Sequence, residues 1–145
     1  VRSFVLDATR DDKRLRKGYD LVVLDAPCSG LGVLRRHPEQ KWAKERQATG
    51  AIVELQQRLL ASVASRVKVG GFLLYSVCTF TKSEGPQQIS DFLAQHPSFE
   101  MAPPSQGPDT PAWDQRLTSA GAFESWPHRD SMDAFYAARL RRVSA

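Results

Sequence analysis

Apolar residues in this 145-residue chain come in short blocks separated by polar and turn-forming stretches. Leu21, Val22, Val23 and Leu24 form one such block, closed by Asp25 and followed within eight positions by a proline, a cysteine and two glycines. An aliphatic run bounded by turn formers is the pattern of a strand buried on both faces, as in a parallel sheet. Phe72–Tyr75 repeats the pattern and leads into Ser76-Val77-Cys78-Thr79. Between the two blocks Ile52, Leu55, Leu59, Val63 and Val67 recur at spacings of three or four. That spacing predicts an amphipathic helix over Ala51–Val67, with Gly70-Gly71 as its stop.

Shorter signals complete the outline. Phe4–Leu6 reads as a strand ending at Asp7, and Tyr19–Leu24 as the second strand. Ser83 is placed to cap a second helix whose inner face is Ile89, Phe92 and Leu93, ending before His96-Pro97. Phe99–Ala102 reads as a fourth strand and Ala134–Leu140 as the last. Residues 103–121, rich in Pro, Gly, Ser and Asp, read as a long surface loop. Strands alternating with helices predict a single α/β domain over residues 1–145 with mainly parallel pairing.

Composition bounds the picture. At 41% hydrophobic and 25% charged residues the chain is an ordinary globular sequence. It has no apolar run of membrane-spanning length and no signal-peptide pattern, so cytoplasm is the expected location and no membrane partner is expected. Its two cysteines have no second Cys or His at ligand spacing, so neither a metal site nor a disulfide framework is expected. The three histidines, His37, His96 and His128, each stand beside a proline and read as loop residues.

The net charge is +4, and the basic residues are grouped. One group holds Arg10, Lys13, Arg14, Arg16 and Lys17; a second holds Arg35, Arg36, Lys41, Lys44 and Arg46; a third holds Arg139, Arg141 and Arg142. Such groups attract phosphate backbones, or simply form solvated faces.

Two predicted strands lead into cysteines. If they lie side by side and parallel, Cys28 and Cys78 share one carboxyl edge with Asp25, the edge where open α/β sheets bind ligands. The bland reading is that each thiol is a small buried hydrophobe.

At these residues the chain resembles a known family. DAPCSGLGVLRRHPEQKW together with YSVCTF is similar to the fourth and sixth motifs of the RNA cytosine-C5 methyltransferases of the Sun (Fmu) family, with a bacterial 16S rRNA methyltransferase B-like character. DATR, with Asp7, resembles the third motif, and WPHRDSMDAFYAARLRR the C-terminal signature. The departures are Val77-Cys78-Thr79 where the family commonly has Thr-Cys-Ser, and Asp133-Ala134-Phe135-Tyr136 where it has Asp-Gly-Phe-Phe.

The resemblance implies a Rossmann-like class I methyltransferase sheet using S-adenosylmethionine. It implies Cys78 as the nucleophile on C6 of cytosine, Cys28 as the thiol that assists resolution of the adduct, Asp25 at the base edge and the cofactor's methionine end, and Asp7 at the adenine. Arg35, Arg36 and Lys41 are then the candidates for RNA phosphate contact, and Trp42 and Trp126 either stack on bases or pack. An unstacked cytosine is needed, so a loop or single strand is the expected target. RRHPEQKW points to small-subunit ribosomal RNA first and transfer RNA second.

The family's glycine-rich first motif and its ribose-binding acid are not found in these residues, and the family's strand order is 3-2-1-4-5-7-6. The chain therefore reads as the C-terminal part of the catalytic domain, truncated before strand 3, with strands 1 and 2 missing. The expectation is weak cofactor binding by these residues alone and self-association through an exposed strand at Leu21–Leu24. Two rivals remain open. DNA cytosine methyltransferases use the cysteine of a Pro-Cys pair, here Cys28, as nucleophile; an RNA-binding chain without catalysis is the other.

Overall fold

The computed structural model describes residues 2–39, 46–104 and 114–145. Lys41 and Trp42 lie outside the described residues. The elements in order are β1 (Tyr19–Asp25), α1 (Arg46–Ala64), β2 (Val67–Val77), α2 (Pro86–Gln95), β3 (Phe99–Met101), β4 (Phe123–Ser125), α3 (Pro127–Asp130) and β5 (Phe135–Arg142). The sheet runs β1-β2-β5-β3, with β4 also paired to β5. That is the 4-5-7-6 portion of the order the resemblance implies. Among the described residues only β1 and β2 are parallel; β5 is antiparallel to β2, β3 and β4, so mainly parallel pairing is corrected to one parallel step.

The core lies between the sheet and the two longer helices. Leu60, Leu73, Tyr75, Val77, Ala138 and Leu140 are fully buried, with Leu59, Ile89 and Phe92 around them. Alternation along β2 sends Leu73, Tyr75 and Val77 inward and Phe72 and Leu74 to the other face. On β1 the same alternation buries Leu24 but leaves Leu21 and Val23 at 54% and 57% exposure. The expectation of a strand buried on both faces therefore fails for β1, because among the described residues no helix packs on its second face.

Other expectations shift for local reasons. Phe4–Leu6 forms no strand; Val5 is 97% exposed, and an isolated run of three residues has no ladder partner. The long helix ends at Ala64, and Gly70-Gly71 sit inside β2 as a bulge. Tyr19 faces Val67 whereas Leu21 faces Phe72, so β2 carries extra residues at that point. Gly70 takes a positive φ of 81°, and a Cβ on Gly71 would stand 2.9 Å from the Tyr19 carbonyl oxygen. Ser83 does not cap α2; Gly85 precedes Pro86, which suits the first helical position because it needs no N–H partner there. His128 lies in α3 and His96 follows α2, its Nδ1 2.9 Å from the Phe92 carbonyl. Within 103–121, residues 105–113 lie outside the described set and Asp114–Arg116 form a 3-10 turn.

Basic residues act as struts as well as charges. Arg66, 4% exposed, donates to the Leu15 carbonyl at 3.0 Å and to Asp11 at 2.7 Å, tying the N-terminal segment to the end of α1. Arg139 donates to the Ala102 and Pro103 carbonyls at 2.6 and 2.7 Å, and its guanidinium lies 4.8 Å from the Phe72 ring centre. Arg142 donates to the Val67 carbonyl at 2.8 Å. Gly71→Ala is expected to lower unfolding free energy by about 1–3 kcal/mol, through displacement of β1 at the bulge. Urea titration followed by circular dichroism measures it, and an unchanged midpoint contradicts the bulge assignment.

Candidate active site

Because β1 and β2 are parallel, both end at one edge of the sheet. The last registered pair is Asp25 with Ser76, and the Ala26 N–H still donates to the Ser76 carbonyl at 2.9 Å. Beyond it the two loops face each other. Cys28 Sγ and Cys78 Sγ lie 3.3 Å apart, both free thiols and both half-buried. The shared carboxyl edge expected from the sequence is present, and the thiols are in contact.

The Cys28 thiol sits in a setting that disfavours its ionisation. Burial pushes the Cys28 thiol up to about 12, helped by its hydrogen bond with Cys78 and opposed by the Gly30 backbone N–H. Cys28 thus keeps its proton at neutral pH and can donate it toward Cys78 Sγ.

The loop around Cys28 is fixed from both sides. Gln56, on the inward face of α1, donates its Nε2 to the Pro27 carbonyl at 2.9 Å, and the Ser29 N–H donates to Glu84 Oε2 at 2.7 Å. Gly30 has a φ of 66°, which suits glycine. Gly32 is sandwiched: its N–H donates to the Cys78 carbonyl and its carbonyl accepts from the Ala134 N–H, each at 3.0 Å. A Cβ there would overlap the Ala134 carbonyl and stand 2.7 Å from the Cys78 oxygen, so no side chain fits.

Glu84 is fully buried and collects hydrogen bonds from both loops. Besides the Ser29 N–H, Gln56 Nε2 donates to it at 3.1 Å and Thr81 Oγ1 at 2.7 Å. Its own carbonyl accepts from the Tyr75 hydroxyl at 2.7 Å. Thr79 Oγ1, next to Cys78, lies 2.9 Å from Ser29 Oγ, next to Cys28. Burial alone would raise the Glu84 carboxyl; hydrogen bonds from Ser29, Thr81 and Gln56 outweigh it and hold the group below its ordinary range. The single hydroxyl beside the Cys78 thiol, Thr79, is therefore the one that bridges the loops, while Val77 on the other side is buried in the core.

The other sequence-predicted residues surround this centre without all joining it. Asp25 is exposed at the end of β1; Ser76 Oγ donates to its Oδ1 at 3.0 Å. Asp7 opens an exposed turn in which the Thr9 hydroxyl and N–H donate to it at 2.6 and 3.0 Å, with Arg10 3.2 Å away. Those bonds, the hydroxyl's first, hold Asp7 below the usual carboxylate range. Among the described residues no hydrogen bond or ion pair joins Asp7 to Asp25 or to either cysteine. Arg35 and Arg36 pair with Asp133 at 3.6 and 2.7 Å while their side chains stay 58% and 68% exposed. A cleft of about 290 Å³ borders the loops, lined by Leu31, Gly32, Arg35, Phe80, Trp126 and His128 among others. Trp126 packs against Phe80 there, ring centres 5.9 Å apart. Among the described residues no cluster of His, Cys, Asp or Glu is placed to hold a metal ion, and no helix is long and apolar enough to cross a membrane.

Sequence reasoning missed Glu84 and Gln56. Gln56 carried a readable signal, a polar residue on the apolar face between Leu55 and Leu59. Glu84 carried none, since an acid in a polar stretch ordinarily faces water.

Comparison with known proteins gives consistent matches. The sequence profile of "16S rRNA methyltransferase RsmB/F" matches residues 2–141. A putative methyltransferase of Mycobacterium tuberculosis is 34% identical over 151 aligned positions, covering 99% of this chain and 32% of that protein. The ribosomal RNA small subunit methyltransferase B of Yersinia pestis is 31% identical, covering 84% of this chain and 26% of that protein. Among solved structures, PH0851 superposes with a TM-score of 0.73 at 36% identity, covering 85% of this chain and 26% of that one. NSun6 from Pyrococcus horikoshii, solved with SFG, superposes with a TM-score of 0.75 at 23% identity, covering 97% and 34%, and supports the fold. The chain spans about a third or less of the length of these relatives.

Since Glu84 is held ionised in the fold, its contribution to stability is present above the ordinary glutamate range and is lost as pH falls through its lowered value. Acid unfolding of the native chain is therefore expected to be steeper below about pH 4 than that of Glu84→Gln, whose side chain does not titrate. Denaturant midpoints measured from pH 6 to pH 2.5 give the comparison; parallel curves contradict the assignment.

Proposed function

The chain belongs to the 16S rRNA methyltransferase RsmB/F family, and on that footing we propose that the gene product containing it, rather than these residues alone, methylates C5 of a cytosine in RNA through a covalent bond from Cys78 to C6. The observation that carries this reading is the thiol pair, 3.3 Å apart at the carboxyl edge of the two parallel strands. C5 of cytosine is a weak nucleophile, and addition of a thiolate at C6 makes it an enamine-like donor. Cys78 supplies that sulfur. Cys28, holding its proton, donates toward Cys78 Sγ in the resting state. Once Cys78 is a thioether, its charge no longer disfavours a Cys28 thiolate. Burial still opposes ionisation, so Cys28 must first release its own proton to solvent water; its sulfur then takes the C5 proton, the C5–H electron pair re-forms the C5–C6 double bond, and Cys78 leaves as thiolate.

The cofactor the family uses is S-adenosylmethionine, and two carboxylates here suit its donors. Asp25 has Oδ1 occupied by Ser76, while Oδ2 has no partner among the described residues; it is assigned to the base's amino edge and the methionine end. Asp7, ionised and exposed, is assigned to the adenine amino group. When bound, S-adenosylmethionine supplies an electrophilic methyl group. Arg35 and Arg36, exposed despite their pairing with Asp133, are assigned to RNA phosphates together with Lys41. The target is an unstacked cytosine in small-subunit ribosomal RNA, with transfer RNA the second choice, and the reaction is cytoplasmic.

The test is methyl transfer from labelled S-adenosylmethionine to RNA by the gene product that contains this chain. Cys78→Ala is expected to lower turnover by about 10⁴-fold or more, and Cys28→Ala to accumulate a covalent protein–RNA adduct. Activity retained by Cys78→Ala, with loss in Cys28→Ala, overturns the roles in favour of Cys28 as nucleophile. No methylation by the native protein, with RNA still bound, favours the RNA-binding alternative. Bisulfite sequencing of RNA from cells lacking the gene identifies the cytosine and separates ribosomal from transfer RNA.

A separate expectation concerns β1. Its exposed Leu21 and Val23 lie at a sheet edge, the kind that pairs with another strand. The 145-residue chain is expected to self-associate, and Leu21→Lys together with Val23→Lys to return it to monomer, by sedimentation equilibrium. A wild-type chain that stays monomeric overturns this.

A further inference from the structure

We infer that Glu84 is a positioning residue for this reaction: with Gln56 it holds the Cys28 loop and the Cys78 loop in register and so keeps the two sulfurs in contact. The inference rests on the proposed roles of the cysteines. It begins from the buried carboxylate itself. Glu84 is 0% exposed, and no lysine or arginine pairs with it among the described residues. A buried carboxylate without a cation is costly unless hydrogen-bond donors replace water around it. Every donor found comes from, or acts on, the two thiol loops.

On the Cys28 side the anchoring is bilateral. The Ser29 N–H donates to Glu84 and the Pro27 carbonyl accepts from Gln56, so the residues before and after Cys28 are both tied down. Gln56 connects the two ties, since the same Nε2 also donates to Glu84 at 3.1 Å. Both of its contacts are acceptors, which fixes the amide orientation and leaves Gln56 Oε1 buried without a partner. The fold tolerates an orphan acceptor in order to place that NH2 group. On the Cys78 side, Thr81 Oγ1 donates to Glu84 Oε1 at 2.7 Å. Thr79 Oγ1 lies within 3.5 Å of the same oxygen and 2.9 Å from Ser29 Oγ. One side chain thereby sets the separation of two loops whose sulfurs are 50 residues apart in sequence.

This differs from a general packing role in one measurable way. It acts on the relative position of Cys28 and Cys78, so it alters how readily those sulfurs form a bond to each other. That readout needs no methyl transfer. Glutathione disulfide oxidises a thiol pair by exchange: one cysteine thiolate displaces a glutathione thiolate, the second displaces the other, and two glutathiones leave with the two electrons. The equilibrium constant reports the effective concentration of one thiol at the other.

The experiment equilibrates the purified chain in glutathione buffers and quantifies the Cys28–Cys78 disulfide by peptide mass spectrometry, with thermal melts alongside. Glu84→Ala is expected to lower the constant about tenfold, as loss of hydrogen bonds to a charged group would. Glu84→Gln is expected to recover most of it. Its Oε1 can accept from Ser29 and Gln56, and its amide can donate to Thr81, whose hydroxyl can reverse. Gln56→Leu and Thr81→Val, each deleting one donor, serve if Glu84→Ala does not fold, and are expected to lower the constant by smaller factors. Unchanged constants in the folded variants, or a Glu84→Gln value as low as that of alanine, overturn the inference. Those results leave the catalytic reading standing, since that is decided by Cys78→Ala; in the gene product, kcat should fall in Glu84→Ala with little change in KM for RNA.

Discussion

The parallel pairing of β1 with β2 is the constraint on which the site depends. Two parallel strands cannot be joined by a hairpin, so the chain must cross back over the sheet, here through α1, and both strands then end at the same edge. The register of that pairing is adjusted by the Gly70-Gly71 bulge. From Tyr19 to Leu21 β1 advances two positions while β2 advances from Val67 to Phe72, five positions, so the bulge absorbs three residues. Without it Asp25 would face Leu73 instead of Ser76. An odd shift also turns side chains to the opposite face. The carboxylate would lose the Ser76 hydroxyl and the core would lose its alternation.

Antiparallel insertion of β5 completes the arrangement. It pairs with β2 along Phe72–Val77, so the second cysteine loop emerges from a strand with partners on both sides. The start of β5 also reaches the first loop, through the Ala134 N–H and the Gly32 carbonyl. The same strand carries Arg139 and Arg142, whose guanidinium groups bind backbone carbonyls across the sheet. A basic C-terminal sequence thus serves partly as internal strutting, and local charge density is a poor guide to which arginines remain available for phosphate.

The chemistry of the edge follows from the burial of Cys28 and a shared clamp. Burial favours the protonated form of Cys28, and its contact with Cys78 makes its ionisation sensitive to what happens at the neighbouring sulfur. Glu84 accepts hydrogen bonds from both loops and Gln56 links it to the Pro27 carbonyl, and thiol chemistry is sensitive to small changes in distance. The exposed second face of β1, with Leu21 and Val23, contrasts with this hydrogen-bonded edge: it is apolar surface on a strand that, among the described residues, pairs on one side only.

By itself the sequence determined the α/β class, the two strand–loop–cysteine segments, the amphipathic helix between them and the family. Continuous apolar runs, a regular three-to-four spacing and the PCSG string are local features, and local features need no tertiary context to be read. Tertiary structure decided the rest. Phe4–Leu6 has strand composition without a strand, because a strand exists only with a partner. Gly70-Gly71 looked like a helix stop and proved to be a bulge, because backbone clearance against Tyr19 and Asp20 belongs to the neighbouring strand. Glu84 stands in a polar stretch with no sequence signal of its own and is the buried acceptor for both loops, because its worth depends on donors from positions 29, 56 and 81. The 3.3 Å between the sulfurs is of the same kind. Sequence could bring two cysteines to one edge, and only the packed network between their loops could bring them into contact.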